Sequence, residues 1–252
     1  MMKYIKENWM ILTFMILICI VGGYFTTLYT LETVDQSMIE DAIKQVGSKE
    51  LFIVVSVAQI SLYGAIFAVI GIILSNKIGL WKKFEVNKKA IFGVIIISII
   101  GGLSLSIVDR YVFGSFIDPV LHSYDNKPTI EYIIASFTYG GVYEEILMRL
   151  FLMSLLSWII GKIFYRKEKE IPVKVFIISN IITALLFAAG HIPSTIQTFG
   201  YVDALILFRC FLMNGAFGIA FGWLYRKYGI GYSMLAHFGV HLISKVIWLL
   251  FI

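Results

Sequence analysis

Two glutamates and an arginine interrupt an otherwise apolar stretch, FTYGGVYEEILMRLFLMSLLSWII. Glu145 and Arg149 are four residues apart, so on a helix they lie on one face and can form an ion pair. Such a pair makes the burial of both charges tolerable. Glu144 is rotated from Glu145 by about 100° and cannot use the same arginine equally well. Without another partner it can take up a proton, which is what a general acid or base must do.

Three histidines follow in later apolar stretches. His191 ends FAAGH, with Phe187 one turn before it, and His237 and His241 lie one turn apart on a single helix face. Together with Glu144 they could activate a water and donate hydrogen bonds to a developing oxyanion. Glu144, His191 and His237 could instead bind zinc. HFGVH lacks the glutamate that follows the first histidine in HExxH zinc proteases, so we favour a metal-free reaction.

Each of these charged or polar residues also has a structural interpretation. The Glu145–Arg149 pair could serve only to hold helices together, and a single histidine in a span often forms a helix–helix hydrogen bond. Arg209 could pair with a carboxylate or extend toward the membrane surface. Lys245 could extend or pair in the same way near the end of its span.

The composition indicates a polytopic membrane protein. Of 252 residues, 59% are hydrophobic and 15% are charged, whereas a soluble domain is roughly half apolar and about a quarter charged. The net charge of +5 comes from basic residues in short loops rather than from a soluble basic face, which argues against a nucleic-acid partner. Cys19 and Cys210 lie in apolar runs without a CxxC motif, and we interpret them as reduced packing residues.

The apolar runs predict an all-α transmembrane bundle of seven helices, because each is near the roughly 20 residues that cross a bilayer. The N-terminal run has no A-x-A-like cleavage site after it and is interpreted as an uncleaved first span. The glycines of GAFGIAFG indicate close helix packing. The predicted spans are about 9–29, 51–75, 90–108, 132–161, 172–192, 202–225 and 229–251.

The loops between the spans alternate in charge. Loops 76–89 and 162–171 are rich in lysine and arginine. Loop 30–50 is acidic, loop 109–131 is mixed to acidic, and 193–201 has no charge. Because basic loops stay on the cytoplasmic side, this alternation predicts a cytosolic N-terminus.

Three motifs in this order, EEILMR, FAAGH and HFGVH, give a Glu-Glu-x-x-x-Arg, a Phe-x-x-x-His and most of a His-x-x-x-Asn pattern. With the stretch GWLYRKYGIGYSMLAH, they resemble the CAAX protease and bacteriocin-processing family, also called the Abi family of intramembrane proteases, which includes the type II CAAX prenyl endopeptidases. The resemblance covers about residues 130–245. It divides the one membrane domain into N-terminal helices and loops, 1–129, and a protease core, 130–252.

The resemblance implies a helical-bundle peptidase and a role for each matching residue. Glu144 would be the general base that activates water, with His191 helping to position it. Glu145 and Arg149 would hold the site together. His237 would stabilise the tetrahedral oxyanion.

Two further positions and the cofactor also follow from the resemblance. Phe187 would line the site. His241 stands where the family usually has asparagine, and a neutral histidine donates a hydrogen bond there only in the right tautomer. The family is often labelled a metalloprotease, which leaves zinc open as a cofactor.

The resemblance implies hydrolysis of a peptide bond in a membrane-associated protein or peptide, by a multi-pass protein of the cell membrane. Prenylated CAAX proteins, bacteriocin leaders and quorum-sensing propeptides are all substrates that the family allows. The Ile- and Lys-rich composition indicates a bacterium and so favours a peptide or membrane-protein substrate. One alternative is a transporter in which Glu144, Arg209 and the histidines form a proton or ion path, although no inverted repeat is evident. The other is a catalytically silent immunity or scaffold protein.

Overall fold

A computed structural model describes residues 2–252, and within that range the chain is helical and contains no strand. Seven helices are long and apolar enough to cross a membrane, which confirms the predicted number of spans. They are α1 (Trp9–Thr33), α2 (Lys49–Lys77), α3 (Lys88–Ser115), α4 (Ile130–Phe164), α5 (Val173–Phe199), α6 (Ala204–Tyr228) and α7 (Ile230–Phe251).

The connections contain more helix than the sequence predicted. Short helices occupy Met2–Glu7, Gln36–Val46 and Asp118–His122. The second of these begins where the Asp35 side chain accepts a hydrogen bond from the Ser37 backbone, and it ends at a glycine with positive φ. Its most covered residues recur at helical spacing on one face: Ile39, Ala42, Ile43 and Val46. The predicted loop 30–50 is therefore largely an amphipathic helix.

Glycines on α6 allow it to approach α5 closely, as the GAFGIAFG sequence predicted. A Cβ at Gly222 would overlap the Asn180 side chain. A Cβ at Gly218 would lie 3.1 Å from both Ala184 Cβ and Arg149 Nη2. A larger residue at either position would push α5 and α6 apart. At position 218 it would also displace Arg149.

Two helices that carry predicted site residues depart from regular α geometry. In α4, π-helical segments at Ser136–Tyr143 and Ile146–Met153 flank the two adjacent glutamates. In α5, the α-helix Val173–Gly190 ends at His191, and a second helix, Ile192–Phe199, follows. Pro193 has no backbone N–H to continue the ladder, which accounts for the break. π-helical turns such as those in α4 are frequent at functional sites.

Candidate active site

Glu145 lies at the centre of a buried set of polar contacts. Its side chain is fully inaccessible, and Oε1 lies 3.0 Å from Arg149 Nη1. His237 donates from Nδ1 to the same oxygen at 2.9 Å, and the Ser233 hydroxyl donates to Oε2. Arg149 donates from Nη2 to the Gly218 carbonyl at 3.0 Å. The predicted ion pair is confirmed, and it ties α4 to both α6 and α7.

Two aromatic rings enclose the Arg149 guanidinium. Its central carbon lies 4.8 Å from the centre of the Phe187 ring and 5.5 Å from that of Phe221. Cation–π attraction of this kind strengthens when the cation is removed from water, and the Arg149 side chain is only 1% exposed. The arginine therefore has a carboxylate, a carbonyl and two ring faces as partners, and its charge is compensated within the bundle.

Glu144, the neighbour of Glu145, has a different environment. Its side chain is 19% exposed and forms no hydrogen bond with any of residues 2–252. Oε1 lies 3.9 Å from His191 Nε2, and Oε2 lies 3.9 Å from His237 Nε2. These separations are too long for a direct hydrogen bond. A water about 2.8 Å from a carboxylate oxygen and from a ring nitrogen fits between them.

The hydrogen bonds at the two Nδ1 atoms determine which tautomer each histidine adopts. His191 Nδ1 lies 2.8 Å from the Phe187 carbonyl and His237 Nδ1 lies 2.9 Å from the Glu145 carboxylate, so each must carry the proton and donate it. In the neutral rings both Nε2 atoms then have a free lone pair. Both lone pairs are available on the side of Glu144. The site thus consists of one carboxyl group between two imidazole acceptors.

Aromatic side chains form the walls around the two rings. Phe187 contacts His191 and His237 edge-to-face, with ring centres 4.7 Å and 5.9 Å apart, which agrees with its expected place at the site. Phe221 stacks on His237 at 4.5 Å. Phe221 and Ser233 were not identified from the sequence. Ser233 could have been found, because it lies one turn before His237 on the same helix face.

His241 lies next to His237 on α7. Its ring stacks on that of His237 at 5.0 Å, and it forms no ion pair with either glutamate within residues 2–252. A Cβ at Gly140 would lie 2.7 Å from His241 Nε2, so α4 accommodates this ring only because residue 140 is a glycine. His241 therefore packs against both His237 and the Gly140 turn of α4, and its predicted role at the oxyanion stays a prediction.

Comparison with known proteins addresses the same part of the chain. Residues 126–243 match the family model described as "Type II CAAX prenyl endopeptidase Rce1-like". This segment is similar to that family. The match confirms the predicted resemblance to the type II CAAX prenyl endopeptidases. The predicted resemblance to bacteriocin-processing proteins stays a prediction. No curated protein and no solved structure matches the chain.

The matched segment contains all the predicted site residues, Glu144, Glu145, Arg149, Phe187, His191, His237 and His241. Together with the seven apolar helices, the match identifies the chain as a multi-pass membrane protein. At the level of the family, it supports intramembrane endopeptidase activity.

The candidate zinc ligands Glu144, His191 and His237 all lie in the matched segment. Across residues 2–252, no group of three His, Cys, Asp or Glu side chains is arranged to hold a metal ion. Glu144 Oε1 lies 3.9 Å from His191 Nε2, and Glu144 Oε2 lies 3.9 Å from His237 Nε2. We derive no reaction step through a metal, and zinc stays a prediction.

A second buried ion pair joins the matched segment to the helices before it. Arg209 contacts both carboxylate oxygens of Asp109 at 2.6 Å, which confirms the interpretation that Arg209 pairs with a carboxylate. The Tyr124 hydroxyl donates to Asp109 at 2.9 Å, and burial, together with this carboxylate, raises the pKa of Tyr124. Asp109 had been assigned to loop 109–131, but α3 extends to residue 115 and includes it. The positive charge of Arg209 is therefore compensated by Asp109 within the fold.

Proposed function

We propose that the protein is an intramembrane endopeptidase in which Glu144 activates the water that attacks the scissile peptide carbonyl. The observation that carries this proposal is the position of the Glu144 carboxyl group, 3.9 Å from Nε2 of both His191 and His237. Within residues 2–252, Glu144 has no lysine or arginine partner that would hold its charge permanently, whereas the neighbouring Glu145 is paired with Arg149. Two adjacent carboxyl groups with different environments suit two different roles.

The first step would use the free acceptors around Glu144. As the water oxygen forms a bond to the carbonyl carbon, the Glu144 carboxylate takes one of its protons, and the carbonyl π electrons move onto the carbonyl oxygen. His191 Nε2 accepts a hydrogen bond from the second water hydrogen and orients the water. The bond from His191 Nδ1 to the Phe187 carbonyl, at 2.8 Å, fixes the ring for this task.

The second step would stabilise and then break down the tetrahedral intermediate. For this step His237 carries a proton on Nε2 that it takes from solvent before the water attacks. The ring donates a hydrogen bond from Nε2 to the oxyanion and keeps this proton when the intermediate breaks down, while the Glu145 carboxylate on Nδ1 compensates the added charge. Glu144 then returns its proton to the amide nitrogen. The C–N bond breaks, and the amine leaves. Glu145, Arg149 and Ser233 position His237 and are not themselves consumed.

The surroundings suit hydrolysis of a segment that reaches the site from the membrane. The rings of Phe187 and Phe221 cover His237, whose side chain is only 6% exposed, and limit its contact with bulk water. We therefore propose a membrane-associated protein or peptide as the substrate. The reaction as written requires no metal, because a carboxylate and two imidazoles supply every proton transfer and hydrogen bond.

Comparison of membrane peptidomes tests this proposal for any substrate that the cell itself supplies. Cells would express wild type, Glu144→Gln, or Glu168→Gln as an exposed-glutamate control, at matched protein levels. Glutamine keeps the shape of Glu144 but cannot take up a proton, so cleavage should fall by a factor of about 10² to 10⁴. We expect product peptides with wild type and Glu168→Gln that are absent with Glu144→Gln. Cleavage by Glu144→Gln at the wild-type rate would contradict the assignment.

A further inference from the structure

An open groove runs between α3 and α7 on the outer face of the bundle. It has a volume of about 400 Å³ and is lined mostly by aliphatic side chains. Its floor lies where the two helices are close together, since a Cβ at Gly239 would overlap the Ser98 side chain. Large, exposed side chains form its two walls, which are Ile91, Ile95 and Ile99 on α3, and Leu235 and Leu242 on α7.

The groove has the length of one leaflet of a bilayer. From Ile91 to Ile99 the rise along α3 is about 12 Å, and half of the hydrocarbon core of a bilayer is about 15 Å. One end is marked by Tyr232, whose hydroxyl accepts a hydrogen bond from the Asn87 backbone at 2.8 Å, just before α3 begins. A single acyl chain, entering from that end and stopping near the middle of the membrane, therefore fits the groove.

The end of the groove at Tyr232 is positively charged. The loop residues 82–89 contain four lysines and one glutamate, and all eight residues are exposed. Lys82 donates hydrogen bonds to the backbone carbonyls of Arg226 and Lys227, at 3.0 Å and 2.7 Å. These contacts bring two further cations to the same end of the bundle. A lipid whose acyl chain occupies the groove has its headgroup beside this cluster.

Lys88 is the lysine that lies in line with the groove. It comes three residues before Ile91 and seven before Ile95, so the three side chains share one face of α3. Lys89 is rotated from Lys88 by about 100°, away from that face. A lysine at the end of a span extends its ammonium group toward the membrane surface, where lipid phosphates lie. The groove thus combines an apolar channel with a cation at its mouth.

We propose that the groove between α3 and α7 binds an anionic phospholipid of the surrounding bilayer, with one acyl chain over Gly239 and Ser98 and the phosphate at Lys88. This inference goes beyond the proposed endopeptidase function and does not depend on it. A zwitterionic phospholipid offers the same acyl chain but no net negative charge. The basic cluster therefore selects the lipid by its headgroup, and the groove holds its chain.

The test measures lipid binding to delipidated protein in a neutral detergent. The protein would be titrated with dioleoyl phosphatidylglycerol, which is anionic, or with dioleoyl phosphatidylcholine, which is zwitterionic. Native mass spectrometry would count the bound lipids. We expect the first phosphatidylglycerol to bind about ten-fold more tightly than the first phosphatidylcholine. Equal affinities for the two lipids would overturn the inference.

The adjacent lysines provide a matched pair of headgroup variants. Lys88→Gln should weaken phosphatidylglycerol binding about five-fold and leave phosphatidylcholine binding unchanged. Lys89→Gln removes the same charge one residue away and should stay within about two-fold of wild type. Equal losses in the two variants would show that the whole basic surface attracts the lipid, and would overturn the assignment to the groove.

Two adjacent isoleucines test the acyl-chain channel in the same way. Ile95→Trp fills the groove from the α3 wall and should weaken the first binding of both lipids about ten-fold or more. Ile96→Trp is the control, because Ile96 is 39% exposed and lies outside the groove. If Ile95→Trp does not fold, Leu235→Trp fills the groove from the other wall. Wild-type lipid binding by a folded variant with the groove filled would overturn the inference.

The same measurements distinguish other occupants of the groove. Farnesol binding that Ile95→Trp abolishes, without any preference for phosphatidylglycerol, would assign the groove to an isoprenoid chain. A dimer that Ile95→Trp dissociates would assign it to a second copy of this chain. Either result would replace the phospholipid.

Discussion

Replacement of Arg149 tests whether the buried charge pair holds the candidate active site together. Arg149→Met removes the charge and keeps much of the side-chain volume. It leaves Glu145, whose side chain is fully buried, with only the neutral donors His237 and Ser233. It also leaves the Gly218 carbonyl without the hydrogen bond that Arg149 donates at 3.0 Å.

The size of the effect follows from the burial of both partners. Breaking a buried ion pair from one side leaves an uncompensated charge and costs about 3–5 kcal/mol. The lost hydrogen bond to the Gly218 carbonyl contributes to the same loss, and the two terms overlap because one side chain makes both contacts. We therefore expect Arg149→Met to lower the free energy of unfolding by about 3–5 kcal/mol. The double variant Arg149→Met/Glu145→Gln should recover at least about 2 kcal/mol, because glutamine needs no counter-charge.

Denaturant-induced unfolding in detergent micelles would measure these differences, with Arg166→Met as the exposed-arginine control. The control should lie within about 0.5 kcal/mol of wild type. The reasoning is refuted if Arg149→Met is as stable as the control. It is also refuted if the double variant is no more stable than Arg149→Met, since the loss would then not come from the stranded carboxylate.

Three other predictions follow from the structure. Gly140→Ala places a methyl group 2.7 Å from His241 Nε2, so it should displace the His241 ring that stacks on His237. We expect kcat to fall about ten-fold or more in an assay at matched protein level. A wild-type kcat would show that the ring can move freely. Asp109→Asn should destabilise the fold by about 3 kcal/mol or more, because it leaves the buried Arg209 without a negatively charged partner. The cleavage rate per folded molecule should stay near that of wild type. Loss of that rate in folded protein would place Asp109 in the site. A strong zinc chelator should leave peptide cleavage unchanged, since the reaction proposed for Glu144 uses no metal; inhibition that added zinc reverses would contradict this.

Some properties of this protein are determined by short stretches of its sequence. The seven spans follow from the length of the apolar runs, because lipid requires about 20 apolar residues per crossing and gives the backbone no other partners. The Glu145–Arg149 pair follows from a spacing of four residues, which helix geometry converts into contact. The alignment of His237 with His241 on one face has the same origin.

Other properties depend on how the helices meet, which no local spacing specifies. Arg209 and Asp109 are 100 residues apart, and His237 and Glu145 are 92 residues apart. The sequence indicated that each charge needed a partner, but the partner was set by helix crossings.

The position of His191 beside Glu144 depends on tertiary structure too, because straight helices would have placed His191 and His237 at different depths. The break in α5 at His191 and the π-helical turns of α4 around the two glutamates accompany their approach. The sequence determined which residues are chemically capable. The packing of α4, α5 and α7 decided that Glu144 lies between two imidazoles while Glu145 is held by an arginine. The physical reason is that distances between helices depend on crossing angles and helix breaks, which residue spacing along the chain does not specify.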